Sequence, residues 1–176
     1  DAIKAGADNR DLDRYYVSAV ASARRRFDEV RELEALYKLS ASYLAVNAHR
    51  KARAAADQVI LQAEMSGETR YRGEAIRIAG ICASKHDNSD EASKLFTQAL
   101  EISESTGDEG LKARTLADKG DWAATKHPDL AESVWREARN IFCRLRENTE
   151  VLRMDRNLIK HTYEHARAPE RYSQAV

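Results

Sequence analysis

The sequence predicts an all-α fold built as an array of helical hairpins. Three observations carry this. First, Ala52, Ala92 and Ala131 recur at steps of 40 and 39 residues, and their neighbours recur with them: Ala56, Phe96 and Trp135, then Val59, Ala99 and Ala138, then Gln62, Ile102 and Ile141. That spacing specifies one helix face three times over. Second, another face repeats upstream of each alanine, as Leu36, Ile76 and Leu116, then Ser40, Gly80 and Gly120, then Tyr43, Ala83 and Ala123. Residues this small sit where two helices cross closely. Third, there are only seven Gly and two Pro, and no alternation of strand type is visible.

Each element follows in order. Leu12, Tyr16 and Ala19 lie 40 positions before Ala52, Ala56 and Val59, so residues 10–26 read as the second helix of an incomplete unit. Three full units follow, near 33–69, 73–109 and 113–148, each a first helix and then a second helix opening on the alanine. The third has lost one residue at the Lys126-His127-Pro128 turn. Gly67 and Gly107 close the first two units in the left-handed conformation that caps a helix, and Glu147 stands there in the third. Asn88 and Glu91 form a capping box before Ala92. Glu150 to Ala166 make a last helix, a cap or the start of a fourth unit, with Leu152, Ile159 and Tyr163 as its inward residues. Ala168-Pro169 ends it and the final residues fray. Starting at Asp1 with no initiator Met, residues 1–176 read as one α-solenoid segment of a longer array.

These residues resemble the tetratricopeptide repeat family, whose first helix carries Trp/Leu, Leu-Gly and Tyr, and whose second carries Ala, an aromatic and Ala. Leu36, Leu39, Ser40 and Tyr43 with Ala52, Ala56 and Val59 match it. So do Ile76, Ala79, Gly80 and Ala83 with Ala92, Phe96 and Ala99, and Leu116, Gly120 and Ala123 with Ala131, Trp135 and Ala138. Lys119 departs from the pattern, and the step exceeds the family's usual ~34 residues. The resemblance covers roughly residues 33 to 145. It implies a binding surface and no catalytic centre, since arrays of this kind hold partners on an extended face.

Charge and composition narrow the classes of function. Basic and acidic residues balance at 29 each, which removes the broad positive field of a nucleic-acid binder. No apolar run approaches the ~20 residues needed to span a bilayer, and residues 1–176 contain no secretory h-region. Cys82 and Cys143 fall in different units and read as small buried hydrophobes, not a bridge. The expected setting is the cytoplasm. Between Asp87 and Glu109 Lys94 is the only base, while Arg139, Arg144, Arg146, Arg153 and Arg156 make the C-terminal part basic. These charges, like Arg24-Arg25-Arg26, read first as solvated helix faces and second as a docking bias.

In the resembled family the first helices line the concave surface. Carried over by position, the partner-binding residues are Tyr37, Ala41 and Leu44, then Arg77, Ile81, Ser84 and Lys85, then Arg114, Ala117, Asp118 and Asp121. Such a face suits a protein or peptide ligand, a helix or an extended segment, with apolar anchors and an arginine on an acidic group. The chaperone-binding subtype, which clamps a C-terminal carboxylate with Lys, Asn and Arg, is not matched: Tyr37, Ala41 and Ile78 occupy its positions, and Asp118 opposes Arg114.

The sequence implies no cofactor, no metal and no catalytic residue. His161-Thr162-Tyr163-Glu164-His165 matches the H-x-x-E-H string of one zinc hydrolase class. It lacks the further carboxylate ligand that class needs, and reads instead as surface histidines at a helix C-terminus. His127 and His49 read as turn and cap residues. The function expected is a protein- or peptide-binding module within a regulatory or scaffolding protein. The other readings are a ligand-sensing arm of a bacterial regulator, self-association through residues 10–26, and, remotely, a zinc hydrolase using His161, Glu164 and His165.

Overall fold

The computed structural model describes residues 9–86 and 88–166, without the side chains of residues 9, 10, 12, 13, 165 and 166. Leu12 as a core residue, Asp87, His165 as a ligand, and the Ala168-Pro169 break therefore lie outside the described residues. Eight α-helices and no strand occur among those described. They are α1 (Asn9–Arg25), α2 (Glu29–Ala45), α3 (His49–Ser66), α4 (Thr69–Lys85), α5 (Ser89–Thr106), α6 (Glu109–Ala123), α7 (Pro128–Leu145) and α8 (Asn148–Ala166). The chain divides into two compact units, one up to Thr106 and one from Gly107.

Local chemistry sets the helix ends. The Asp28 carboxylate accepts a hydrogen bond from the Arg31 N–H at 3.1 Å, and Asp108 accepts from the Leu111 N–H at 2.8 Å. Each satisfies a backbone donor that the first turn leaves open. Asn88 caps α5 with half of the expected box: its Oδ1 accepts from the Glu91 N–H and its Nδ2 donates to Glu91 Oε2 at 2.7 Å, while its backbone N–H donates to the Ala83 carbonyl at 3.2 Å instead of to Glu91. Pro128 occupies the first turn of α7, where its missing N–H costs nothing.

Left-handed backbone follows the second helices at a fixed step. Gly67 and Gly107 have φ of 77° and 70°, and the same conformation appears 40 residues earlier at Phe27, φ 54°, and 39 residues later at Arg146, φ 59°. The sequence placed the third unit's cap at Glu147. The residue lost near Pro128 shifts every later position by one, so Arg146 carries it. Phe27, 93% exposed, holds the station with no glycine.

In the first unit each helix packs on the next in sequence, and the first helices α2 and α4 also touch one another. This is the packing of an α-solenoid. Its core joins Leu33, Leu36, Leu39 and Tyr43 of α2 to Ala52, Ala56 and Val59 of α3 and Ala75, Ile78 and Cys82 of α4. Gly80 lets Phe96 lie against α4, for a Cβ there would stand 3.0 Å from the ring. Ser40, at the same station, is fully buried and satisfies its hydroxyl by donating to the Tyr37 carbonyl at 2.7 Å.

In the second unit α6 packs on α7 and α7 on α8. Gly120 repeats the close approach more tightly, 2.4 Å from a would-be Cβ to Trp135 Nε1. For α8 the sequence expectation is corrected: Leu152, Ile159 and Tyr163 are 69%, 70% and 57% exposed, while Met154 and His161 are buried. The 39-residue step explains it. Met154 follows the buried Ala75 and Thr115 at their station, whereas Ile159 falls at the Gly80 and Gly120 station, which in the earlier repeats faces a second helix. Cys143, expected inside, is exposed; Cys82 is buried as expected.

Candidate protein-interaction surface

The first unit brings seven of the expected residues onto two neighbouring helices. Tyr37, Ala41 and Leu44 descend one side of α2 at helical spacing, and each is half-buried. Arg77, Ile81 and Ser84 do the same on α4, and Lys85 is exposed at its end. Tyr71, absent from the sequence reading, extends the strip, its ring 6.0 Å from that of Tyr37. The position 40 before it holds Arg31, so the repeat itself gave no aromatic signal there.

Arg77 is largely committed to structure. Its Nε donates to Glu74 Oε2 at 3.0 Å, and the two side chains are only 13% and 8% exposed. An arginine so held orients its neighbours more than it searches for a ligand. Ser84 donates to the Ile81 carbonyl at 2.7 Å. What α2 and α4 offer at the surface is therefore the edge of Tyr37 and Tyr71 with Ala41, Leu44 and Ile81, bordered by the Lys38–Glu34 ion pair at 2.6 Å and by Lys85.

The second unit treats its four expected residues differently. Ala117, at the Tyr37 and Arg77 station, is fully buried and offers no contact surface. Asp118 and Asp121 are taken by α8: Arg153 Nη2 reaches Asp118 at 3.4 Å and Asp121 at 3.1 Å, while Arg153 Nη1 donates to Glu150 at 3.0 Å. Asp121 Oδ1 also accepts from the Trp135 indole at 3.0 Å and from Asn157 at 2.8 Å. Burial pushes the Asp121 carboxyl up, and the nearby Arg153 charge opposes this without cancelling it. Arg153 is held above its usual range, burial notwithstanding, by Asp121, Asp118 and Glu150. Arg114 is half-buried beside Gly110.

No family model matches the sequence, and no curated protein matches it.

The zinc-hydrolase string does not form a common site among described side chains. His161 is buried edge-on against Trp135, ring centroids 5.7 Å apart, and Glu164 is exposed and 3.8 Å from Lys160. The surface position expected for His161 is thus corrected: a first-helix register turns it toward α7. No group of three His, Cys, Asp or Glu able to hold a metal occurs among the described residues, and none of their helices is long and apolar enough to cross a membrane. Of the C-terminal arginines, Arg144 pairs with Glu109 at 2.8 Å, Arg139 with Asp155 and Arg153 with the acids named above.

Proposed function

We propose that this chain is a protein- or peptide-binding module of tetratricopeptide type, the regulatory or scaffolding part of a larger cytoplasmic protein. One observation supports it above the rest: in the first unit, two successive first helices present Tyr37, Ala41, Leu44, Tyr71 and Ile81 as a half-exposed apolar strip with charged ends. Aromatic and aliphatic residues held on rigid helices give affinity at low entropic cost, and the flanking Lys38, Glu34 and Lys85 select among partners. The reading uses the first unit alone, because Ala117, Asp118 and Asp121 are occupied internally.

The test is recovery of partners by immobilised wild-type chain against a Tyr37→Ala/Ile81→Ala double variant whose helix content by circular dichroism equals the wild type's. Specific partners are expected to be lost from the variant. Equal recovery of every partner would remove the proposal.

A further inference from the structure

The first unit carries a second cleft, on the opposite side of α2 from the Tyr37 strip, and the repeat supplies its own control for reading it. The cleft has a volume of about 530 Å³, floored by Leu36, Leu39 and Tyr43 of α2 and walled by α1 and α3. Its apolar floor belongs to the core, yet Val17 on one wall is 56% exposed. Arg24 and Lys51 stand on its two rims, and no carboxylate is among its lining residues.

The next step along the same unit differs at each of these places. Ala55 and Ala54 of α3 leave the space open, where α5 carries Leu95 and Lys94 at the equivalent positions 40 residues on. Glu64 and Glu91 occupy the stations of Arg24 and Lys51. The opening and the positive rim are thus features of this site and not of the repeat.

We propose that this groove docks an acidic amphipathic helix from a protein partner. A groove between two helices accepts the apolar ridge of a third, with side chains one turn apart entering above Leu36, Leu39 and Tyr43. Carboxylates flanking that ridge meet Lys51, whose ammonium lies 5.2 Å over the Tyr43 ring, while Arg24 on the other rim is paired with Glu32 at 2.7 Å. The rim charge selects acidic over basic helices, because like charges brought together at an interface disfavour the wrong partner.

The experiment uses fluorescence anisotropy with a labelled helical peptide bearing leucines at one-turn spacing and glutamates elsewhere, and its twin with lysines for glutamates. The glutamate peptide is expected to bind the full chain at least about tenfold more tightly. Ala55→Leu, which installs the side chain already accepted at position 95, removes binding by filling the cleft. Ala54→Glu, at an exposed position that leaves folding alone, does the same by charge, and Lys51→Glu reverses the peptide preference. Tyr37→Ala/Ile81→Ala leaves this binding unchanged, so failure here and failure of the proposed function are separate results. Equal binding of the two peptides, binding undiminished in both Ala55→Leu and Ala54→Glu, or no binding of the glutamate peptide at about 1 mM overturns the proposal. Concentration-dependent self-association by light scattering that Ala55→Leu abolishes would assign the groove to a second copy and overturn it as well.

Discussion

Replacing Gly120 by alanine tests the packing rule on which the hairpins depend. A methyl group added there would stand 2.4 Å from Trp135 Nε1, 2.5 Å from its Cδ1 and 2.9 Å from its Cε2. Ordinary contact requires about 1 Å more. The indole is 4% exposed and donates to Asp121 at 3.0 Å, so it has little room to retreat and loses a hydrogen bond if it does. Overpacking of this kind costs about 1–3 kcal/mol and the hydrogen bond about 1 kcal/mol. Alanine returns about 1 kcal/mol through its better helix propensity. The expected net loss is about 1–3 kcal/mol.

Gly80→Ala provides the internal comparison. There the added methyl meets Phe96 at 3.0 and 3.1 Å, a shortfall of a few tenths of an ångström against a ring that makes no such hydrogen bond. The helix-propensity gain then roughly cancels the crowding, for a net near zero. Denaturant unfolding followed by circular dichroism, with tryptophan fluorescence for the second unit, measures both. Gly120→Ala at least as stable as wild type, or Gly80→Ala the more damaging of the two, would refute the reasoning.

Three further outcomes follow from the same structure. Phe27→Gly and Arg146→Gly should each raise stability by about 1 kcal/mol, because a side chain in left-handed backbone is strained and glycine is not; an unchanged unfolding midpoint for both would contradict this. Ellman's reagent should react quickly with one thiol per folded chain, the exposed Cys143, while Cys82, buried and with its thiol pushed up to about 11, reacts only on unfolding; a Cys143→Ser variant that still titrates fast would show otherwise. Arg153→Met should cost about 1–2 kcal/mol, below the figure for a fully buried ion pair because the Arg153 side chain is 31% exposed. A urea midpoint equal to wild type would mean that Asp118 and Asp121 need no cation.

Much of the fold was legible because each packing position is written three times. Gly80 against Phe96 and Gly120 against Trp135 follow from the recurrence of small beside large, and the Asn88–Glu91 cap follows from local spacing alone. Phe27 was also within reach, since it lies 40 residues before Gly67, but its side chain gave no hint of a left-handed turn. The inward face of α8 does not follow from its own apolar residues, since Leu152, Ile159 and Tyr163 share helical spacing yet lie outward; the 39-residue step from Thr115 leads to the buried Met154 instead. The candidate surface was less legible. Position in a first helix told which side Tyr37 and Ile81 take, but not that Ala117 would be covered or that Arg77 would be held by Glu74. The Arg153 link to Asp118 spans 35 residues, and no local pattern encodes a pairing at that range.

The left-handed residues at 27, 67, 107 and 146 also mark where the polypeptide tolerates editing. The shortened turn before Pro128 moves the next such residue by one place and leaves the following helix correctly phased, so length changes in that hairpin bend are absorbed locally. Within a helix, one inserted residue would rotate everything beyond it by about 100° and bury the wrong side chains. Residues 28–67, bounded by two of these joints, therefore constitute a natural cassette for duplication or exchange, whether by recombination or by a protein engineer.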